Sequence, residues 1–118
     1  MIKSYNIVPV QKPRMTRSDK WKGRNCVKRY FEFCNKVKAA GIEISYSKTS
    51  IVFALPMPKS WNKKKREEYN GKPHQQKPDL DNLLKALSDA VHKEDCKIWH
   101  YGNLSKVWAE TGSITIVR

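Results

Sequence analysis

The sequence predicts an α+β fold, a small mixed β-sheet packed with two main helices in the order β-α-β-(short α)-α-β-β. Leucines three and four residues apart between positions 80 and 91 indicate an amphipathic helix, whereas β-branched residues gather in short segments typical of strands. A chain of 118 residues with 39% hydrophobic content can fold around one modest core. We therefore expect a single domain over residues 1–118, with a sheet so small that dimerisation would stabilise it.

The first half of the chain is predicted to form a strand, a loop, a helix and a second strand. Residues 2–8 alternate in polarity, and the basic, proline-containing segment 11–24 follows as a loop. A helix then begins at Asn25, which can cap it, and ends at Gly41. Residues 49–55 are rich in β-branched side chains and predict a buried strand. The expected apolar face of the helix consists of Cys26, Val27, Tyr30, Phe31, Cys34 and Val37.

The second half is predicted to contain two helices and two strands. A short helix lies around residues 62–69, and a loop at Gly71 follows it. A longer amphipathic helix covers residues 79–91. Two strands, 97–109 and 113–117, complete the sheet. The buried stripe of the longer helix should consist of Leu80, Leu83, Leu84, Leu87 and Val91.

The composition points to a polyanionic partner. The chain has 24 Lys and Arg against 11 Asp and Glu, a net charge of +13, which favours nucleic acid and a salt-dependent affinity. Its longest apolar run, residues 51–55, is far too short to cross a bilayer, so no membrane partner is expected. No signal peptide is readable, and three cysteines without ligand spacing are typical of reduced thiols. We expect a cytoplasmic protein.

Acidic residues are concentrated in one short window of this basic chain. Residues 78–95 hold only two lysines but five carboxylates, Asp79, Asp81, Asp89, Glu94 and Asp95. Carboxylates that converge would repel one another unless a cation neutralised them, and Mg²⁺ takes oxygen ligands. The window therefore predicts a divalent metal site facing a polyanion.

The start of the longer helix is where two of these acids can share a side. Asp79 can serve as the N-cap, with Asp81 in the first turn, where unpaired backbone N–H groups favour anions. Asp81, Lys85 and Asp89 then follow at intervals of four on one helical face. From spacing alone, a solvated salt-bridge ladder explains this face as well as a metal site does. Periodicity does not establish whether Asp95 returns to the same place.

The second half of the chain resembles the RusA family of Holliday junction resolvases, especially its bacteriophage and prophage members. The basic segment 12–17 is similar to the N-terminal loop of that family. The other matching motifs are Pro56-Met57-Pro58-Lys59-Ser60-Trp61, Gly71-Lys72-Pro73-His74, Lys77-Pro78-Asp79-Leu80-Asp81-Asn82-Leu83-Leu84-Lys85-Ala86 and Glu94-Asp95.

The resemblance implies a homodimeric, Mg²⁺-dependent endonuclease that nicks four-way DNA junctions symmetrically, in recombination and repair. It implies that Asp79, Asp81 and Asp95 bind the metal, with Mn²⁺ as a substitute ion, and that Lys85 is the catalytic lysine. The basic residues near these acids are our candidates for phosphate contact. They are Arg14, Arg17, Lys59, Lys63, Lys64, Lys65, Arg66, Lys72 and Lys77.

Two other functions are compatible with the sequence. Pro78-Asp79 together with Asp95-Cys96-Lys97 superficially fits the P-D…(D/E)-x-K nuclease signature, which would predict cleavage of duplex DNA. In that fold the acids lie on neighbouring strands, whereas Asp79 is predicted to open a helix. The other candidate is a non-catalytic, basic nucleic-acid-binding module, which would bind Mg²⁺ no better than any acidic surface.

Overall fold

The fold is α+β, as predicted, with a four-stranded mixed sheet and three helices. A computed structural model describes residues 2–13, 25–92 and 95–118, the last range without the side chain of Asp95. The predicted order of elements is confirmed. The strands are β1 (Ile2–Tyr5), β2 (Thr49–Pro56), β3 (Tyr101–Ala109) and β4 (Ser113–Val117). The helices are α1 (Asn25–Ala40), α2 (Lys63–Tyr69) and α3 (Leu80–Val91), and a 3₁₀ turn covers Asp95–Lys97.

The sheet has the strand order β1-β4-β2-β3. Strand β2 pairs in parallel with β3 and antiparallel with β4, and β4 pairs antiparallel with β1. Strand β2 therefore lies between the last two strands of the chain. Its side chains at Ile51 and Phe53 are fully buried, as expected for a central strand. Both α2 and α3 belong to the connection between the parallel strands β2 and β3.

Helix α1 ends as its sequence predicts. Gly41 has a φ of +67°, and the N–H of Ile42 reaches the carbonyl of Val37 at 3.4 Å, which are features of a Schellman cap. Its predicted apolar face is only partly right. Phe31 is 53% exposed, and Phe33 is buried in its place. The buried positions of α1 are Val27, Tyr30, Phe33 and Val37, three or four residues apart.

Helix α3 packs its leucine stripe into the core. Leu83 and Leu87 are completely buried, together with Ile51, Phe53 and Ile114 of the sheet. Leu80, Leu84 and Val91 lie at the edge of this core and are partly buried. Burial of one face leaves the opposite face of α3, with Asp81 and Lys85, exposed.

Two strand boundaries differ from the prediction. Strand β1 ends at Tyr5, where the predicted strand continued to residue 8, and β3 begins at Tyr101, not at residue 97. The 3₁₀ turn Asp95–Lys97 occupies part of the difference. None of the helices in the described ranges is long and apolar enough to cross a membrane. The three cysteines, all within those ranges, are free thiols.

Candidate active site

Asp79 is the N-cap residue of α3, as predicted. Its backbone is extended, with φ −69° and ψ 145°, and its carbonyl accepts the first helical hydrogen bond from the N–H of Leu83 at 3.1 Å. Its carboxylate caps no backbone N–H of the helix. An N-cap aspartate normally uses its side chain in this way. The carboxylate of Asp79 is exposed and has no partner among the described side chains.

The salt-bridge ladder that spacing allowed on α3 does not form. Among the described side chains, Lys85 has no ion pair with Asp81 or with Asp89. Asp89 pairs instead with Lys12, whose Nζ lies 2.6 Å from Asp89 Oδ2. Asp81 and Lys85 are therefore two exposed, opposite charges one helical turn apart, without ion-pair partners in the described part of the chain.

The third predicted metal ligand is only partly visible. The backbone of Asp95 begins the 3₁₀ turn that follows α3, but its side chain and all of Glu94 lie outside the described residues. Among the described side chains, no three His, Cys, Asp or Glu residues are grouped closely enough to hold a metal ion. That set includes Asp79 and Asp81 but not the carboxylate of Asp95, so the convergence of all three stays a prediction.

The donor set that is visible suits a hard cation. Asp79 and Asp81 offer carboxylate oxygens, exposed and without hydrogen-bond partners among the described side chains. Oxygen ligands of this kind are those Mg²⁺ and Mn²⁺ take in proteins. The residues present therefore fit the predicted ion.

The segment that leads into Asp79 is attached to the outer edge of β3. The N–H of Gly71 donates to the carbonyl of Trp108 at 2.8 Å, and the N–H of Trp108 donates to the backbone carbonyl of Lys72 at 3.0 Å. Further along, the N–H of His74 donates to the carbonyl of Lys106 at 3.0 Å. The entry of α3 is thus placed against the sheet by backbone hydrogen bonds.

A lysine side chain reinforces this attachment. Lys106 Nζ donates to the carbonyls of Gln76 and Pro78, the latter at 2.7 Å. His74, only 6% exposed, packs its ring 4.1 Å from that of Trp108, centroid to centroid. Burial and the nearby positive charge of Lys106 lower the pKa of His74, which favours the neutral imidazole. His74 belongs to the matching motif Gly71-Lys72-Pro73-His74, whereas no motif found in the sequence includes Lys106.

The predicted DNA-binding lysines are exposed, whereas Arg66 has structural partners. Its guanidinium donates to the carbonyls of Trp61 and Pro58, at 3.1 and 2.9 Å, and pairs with Glu110 at 3.0 Å. Lys65 lies over the Trp61 ring, 4.3 Å from its centroid. DNA contact by Arg66 stays a prediction, and Arg14 and Arg17 lie outside the described residues. The exposed lysines are Lys59, Lys63, Lys64, Lys65, Lys72 and Lys77.

Lys12 and Lys38, which were not among the predicted DNA-binding residues, also lie close to Lys85. Lys12, Lys38 and Lys85 line one open cavity of about 710 Å³, in which Asp89 also takes part. Lys12 and Lys85 also line a neighbouring cavity of about 440 Å³ with Asn82. The only sequence signal for this groove was the basic segment that begins at Lys12, because Lys38 is distant in the chain.

A comparison with known families agrees with this arrangement. The sequence model of the RusA endodeoxyribonuclease family matches residues 5–117, which is nearly the whole chain. The chain belongs to this family. A search of curated proteins gave no significant match. Membership in the RusA family makes the protein an endodeoxyribonuclease, and the matched region includes Asp79, Asp81, Lys85 and Asp95.

Proposed function

We propose that this RusA-family protein is a Mg²⁺-dependent resolvase of four-way DNA junctions, acting in recombination and repair. One observation carries the proposal. The carboxylates of Asp79 and Asp81 and the ammonium of Lys85 stand exposed at the start of α3 without ion pairs to described side chains. Carboxylate oxygens are ligands that Mg²⁺ takes, and a nearby ammonium can stabilise charge on a phosphate, so these three groups suit metal-dependent phosphodiester cleavage.

Asp79, Asp81 and Asp95 would hold the ion, which is Mg²⁺ with Mn²⁺ as a substitute. When bound, it supplies Lewis-acid activation of water and neutralises charge that develops on the phosphate. The exposed position of the two described carboxylates gives a phosphodiester direct access to them. Among the described side chains neither carboxylate has a partner, so both oxygens of each group can serve as ligands.

Lys85 would orient the scissile phosphate and stabilise its developing negative charge. It lies one helical turn beyond Asp81, on the same exposed face of α3. The free N–H groups in the first turn of the helix also favour a phosphate there. Because Asp89 is paired with Lys12, it does not compete for the ammonium of Lys85.

The exposed lysines around this site would bind the arms of the junction through their phosphates. One set lies along α2 and the segment that leads into α3, at Lys63, Lys64 and Lys77. Another lies in the groove lined by Lys12 and Lys38. The free cysteines fit a reducing compartment, so a cytoplasmic location is part of the proposal.

Symmetric cleavage would require a homodimer, because one chain supplies only one set of the three aspartates. Exposed aromatic residues of the C-terminal part are candidates for the dimer face. Trp99 is 76% exposed and qualifies, whereas Trp108 is buried between Trp61 and His74 and is not available to a partner. Light scattering at micromolar concentration without DNA should show twice the 13.8 kDa of one chain. A clean monomer would contradict a preformed dimer.

The proposed chemistry is tested with Asp81→Asn on a synthetic four-way junction and a matched duplex, with and without Mg²⁺. We expect cleavage of the junction to fall by at least about 100-fold, because a metal ligand is lost, while junction binding is retained. Glu32→Gln, an equal loss of charge at an exposed position of α1, is the control and should cut normally. Full cleavage by Asp81→Asn would refute the metal assignment.

The same assay separates the alternatives. A nuclease of the P-D…(D/E)-x-K type would cut the duplex as well as the junction. In that fold the acids belong to neighbouring strands, whereas Asp79 caps helix α3 here. A passive binding module would cut neither substrate.

A further inference from the structure

We propose that Lys106 is a positioning residue that fixes Asp79 for metal binding. The inference rests on the proposed function, since it concerns the same metal site. Lys106 lies in β3, far along the chain from Asp79, and no sequence motif links the two. The link is made entirely by hydrogen bonds to the segment that precedes Asp79.

Lys106 holds that segment at three points. Its backbone carbonyl accepts the N–H of His74, and its ammonium donates to the carbonyls of Gln76 and Pro78. Pro78 is the residue directly before Asp79. The hydrogen bonds of Lys106 therefore reach the peptide group between Pro78 and Asp79, the proposed metal ligand.

The two carbonyls accept these hydrogen bonds outside the regular secondary structure. Gln76 and Pro78 lie outside any helix or strand, so no regular pairing fixes them. An ammonium carries three N–H donors, and two of them are used here. Asp79 makes no side-chain cap of its own, so its carboxylate is oriented by how its backbone enters α3.

The opposite end of the segment is anchored by packing. His74 is buried against Trp108, and Trp108 in turn packs 4.8 Å from Trp61, centroid to centroid. Lys106 is thus the second anchor, and the five residues from His74 to Pro78 are held at both ends. Loss of Lys106 should release the end nearer the carboxylates while the aromatic end stays in place.

Positioning and simple electrostatics predict opposite results. Removing a positive charge near two carboxylates would by itself tighten the binding of a divalent cation. Loss of a positioning contact weakens metal binding, typically 10–100-fold for outer contacts of a metal site. The sign of the change in metal affinity therefore decides between the two.

The test uses the full chain with Lys106→Met and measures Mn²⁺ binding by electron paramagnetic resonance without DNA. We expect Mn²⁺ to bind about tenfold more weakly or worse. Hydrogen exchange of the amides in residues 75–81 should become faster, while exchange in β2 and β4 stays unchanged. Lys106→Arg, which keeps a charged donor, should recover much of the affinity. Lys36→Met, on the exposed face of α1, removes the same charge and should bind Mn²⁺ as the wild type does.

The outcomes separate this inference from the proposed function. If the wild type does not bind Mn²⁺, or if Asp81→Asn binds it equally well, the metal site itself is wrong and the inference falls with it. If Asp81→Asn loses Mn²⁺ but Lys106→Met binds it as well as or better than the wild type, only the positioning role is overturned. Should Lys106→Met not fold, Lys106→Gln retains a neutral, shorter NH₂ donor group and is expected to show an intermediate loss of affinity. Wild-type affinity in Lys106→Gln would then overturn the inference.

Discussion

The ammonium of Lys12 lies 2.6 Å from the carboxylate of Asp89, joining residues 77 positions apart in the chain. Both side chains are partly buried, 32% and 20% exposed. The pair connects the segment that follows β1 to α3, next to Lys85. It also neutralises the one described carboxylate that could otherwise pair with Lys85 from the following helical turn.

A double-mutant cycle should detect this pair. We expect Lys12→Ala, Asp89→Ala and their combination to give a coupling of about 0.5–1 kcal/mol in the free energy of unfolding, measured with urea. Dissolved salt screens this partly buried ion pair less than it would screen a fully exposed one. The more exposed pair Arg118–Glu43, with Glu43 75% exposed, is the control and should show a smaller coupling. Equal couplings would mean that burial of the Lys12 pair adds nothing.

This pair illustrates what the sequence could and could not predict about the site. Leucine spacing predicted α3, and a Pro-Asp start predicted its cap at Asp79, because both are local properties of the chain. The partner of Asp89 could not be predicted, since helical spacing favours Lys85 and only the folded chain brings Lys12 close. Contacts between distant segments depend on packing that no periodicity encodes.

The fold shows the same limit. Element order followed from local patterns, but the position of β2 between β3 and β4 depends on long-range pairing. Within α1, exposed Phe31 and buried Phe33 were exchanged in the prediction. Phe33 shares the spacing of three or four residues with the buried Tyr30 and Val37, whereas Phe31 does not. Cys34 fits that spacing as well, so periodicity alone did not identify Phe33 as the buried residue.

Binding of junctions should depend steeply on salt, and the lysines of α2 should carry part of that dependence. We expect the Ala variants of Lys63, Lys64 and Lys65, combined, to lower the slope of log K against log salt by about 0.9 for each phosphate they contact. A gel-shift titration at several salt concentrations measures the slope. The combined Ala variants of three other exposed lysines lose the same charge and should keep the slope; they are Lys3, Lys28 and Lys36. Equal changes in the two variants would show that only net charge matters.

Arg66 should matter more for stability than for DNA binding. Arg66→Ala removes charged donors from the carbonyls of Trp61 and Pro58, which we expect to cost about 1–3 kcal/mol in the free energy of unfolding. Its partner Glu110 is 58% exposed, so Glu110→Ala should cost at most about 1 kcal/mol. Urea unfolding of the two variants makes the comparison. If both are equally mild, the carbonyl contacts of Arg66 contribute little.

Stability should fall in mild acid because of His74. Its folded-state pKa lies below the ordinary value of 6.5, owing first to burial and then to the charge of Lys106. The unfolded chain therefore binds a proton that the folded protein resists, and the stabilising contribution is lost as the pH falls from about 6.5 through the folded-state pKa. His74→Gln, which cannot be protonated, should lose less stability than the wild type between about pH 7.5 and about pH 5.5 in urea unfolding. An unchanged pH dependence in His74→Gln would show that protonation of this buried ring does not oppose folding.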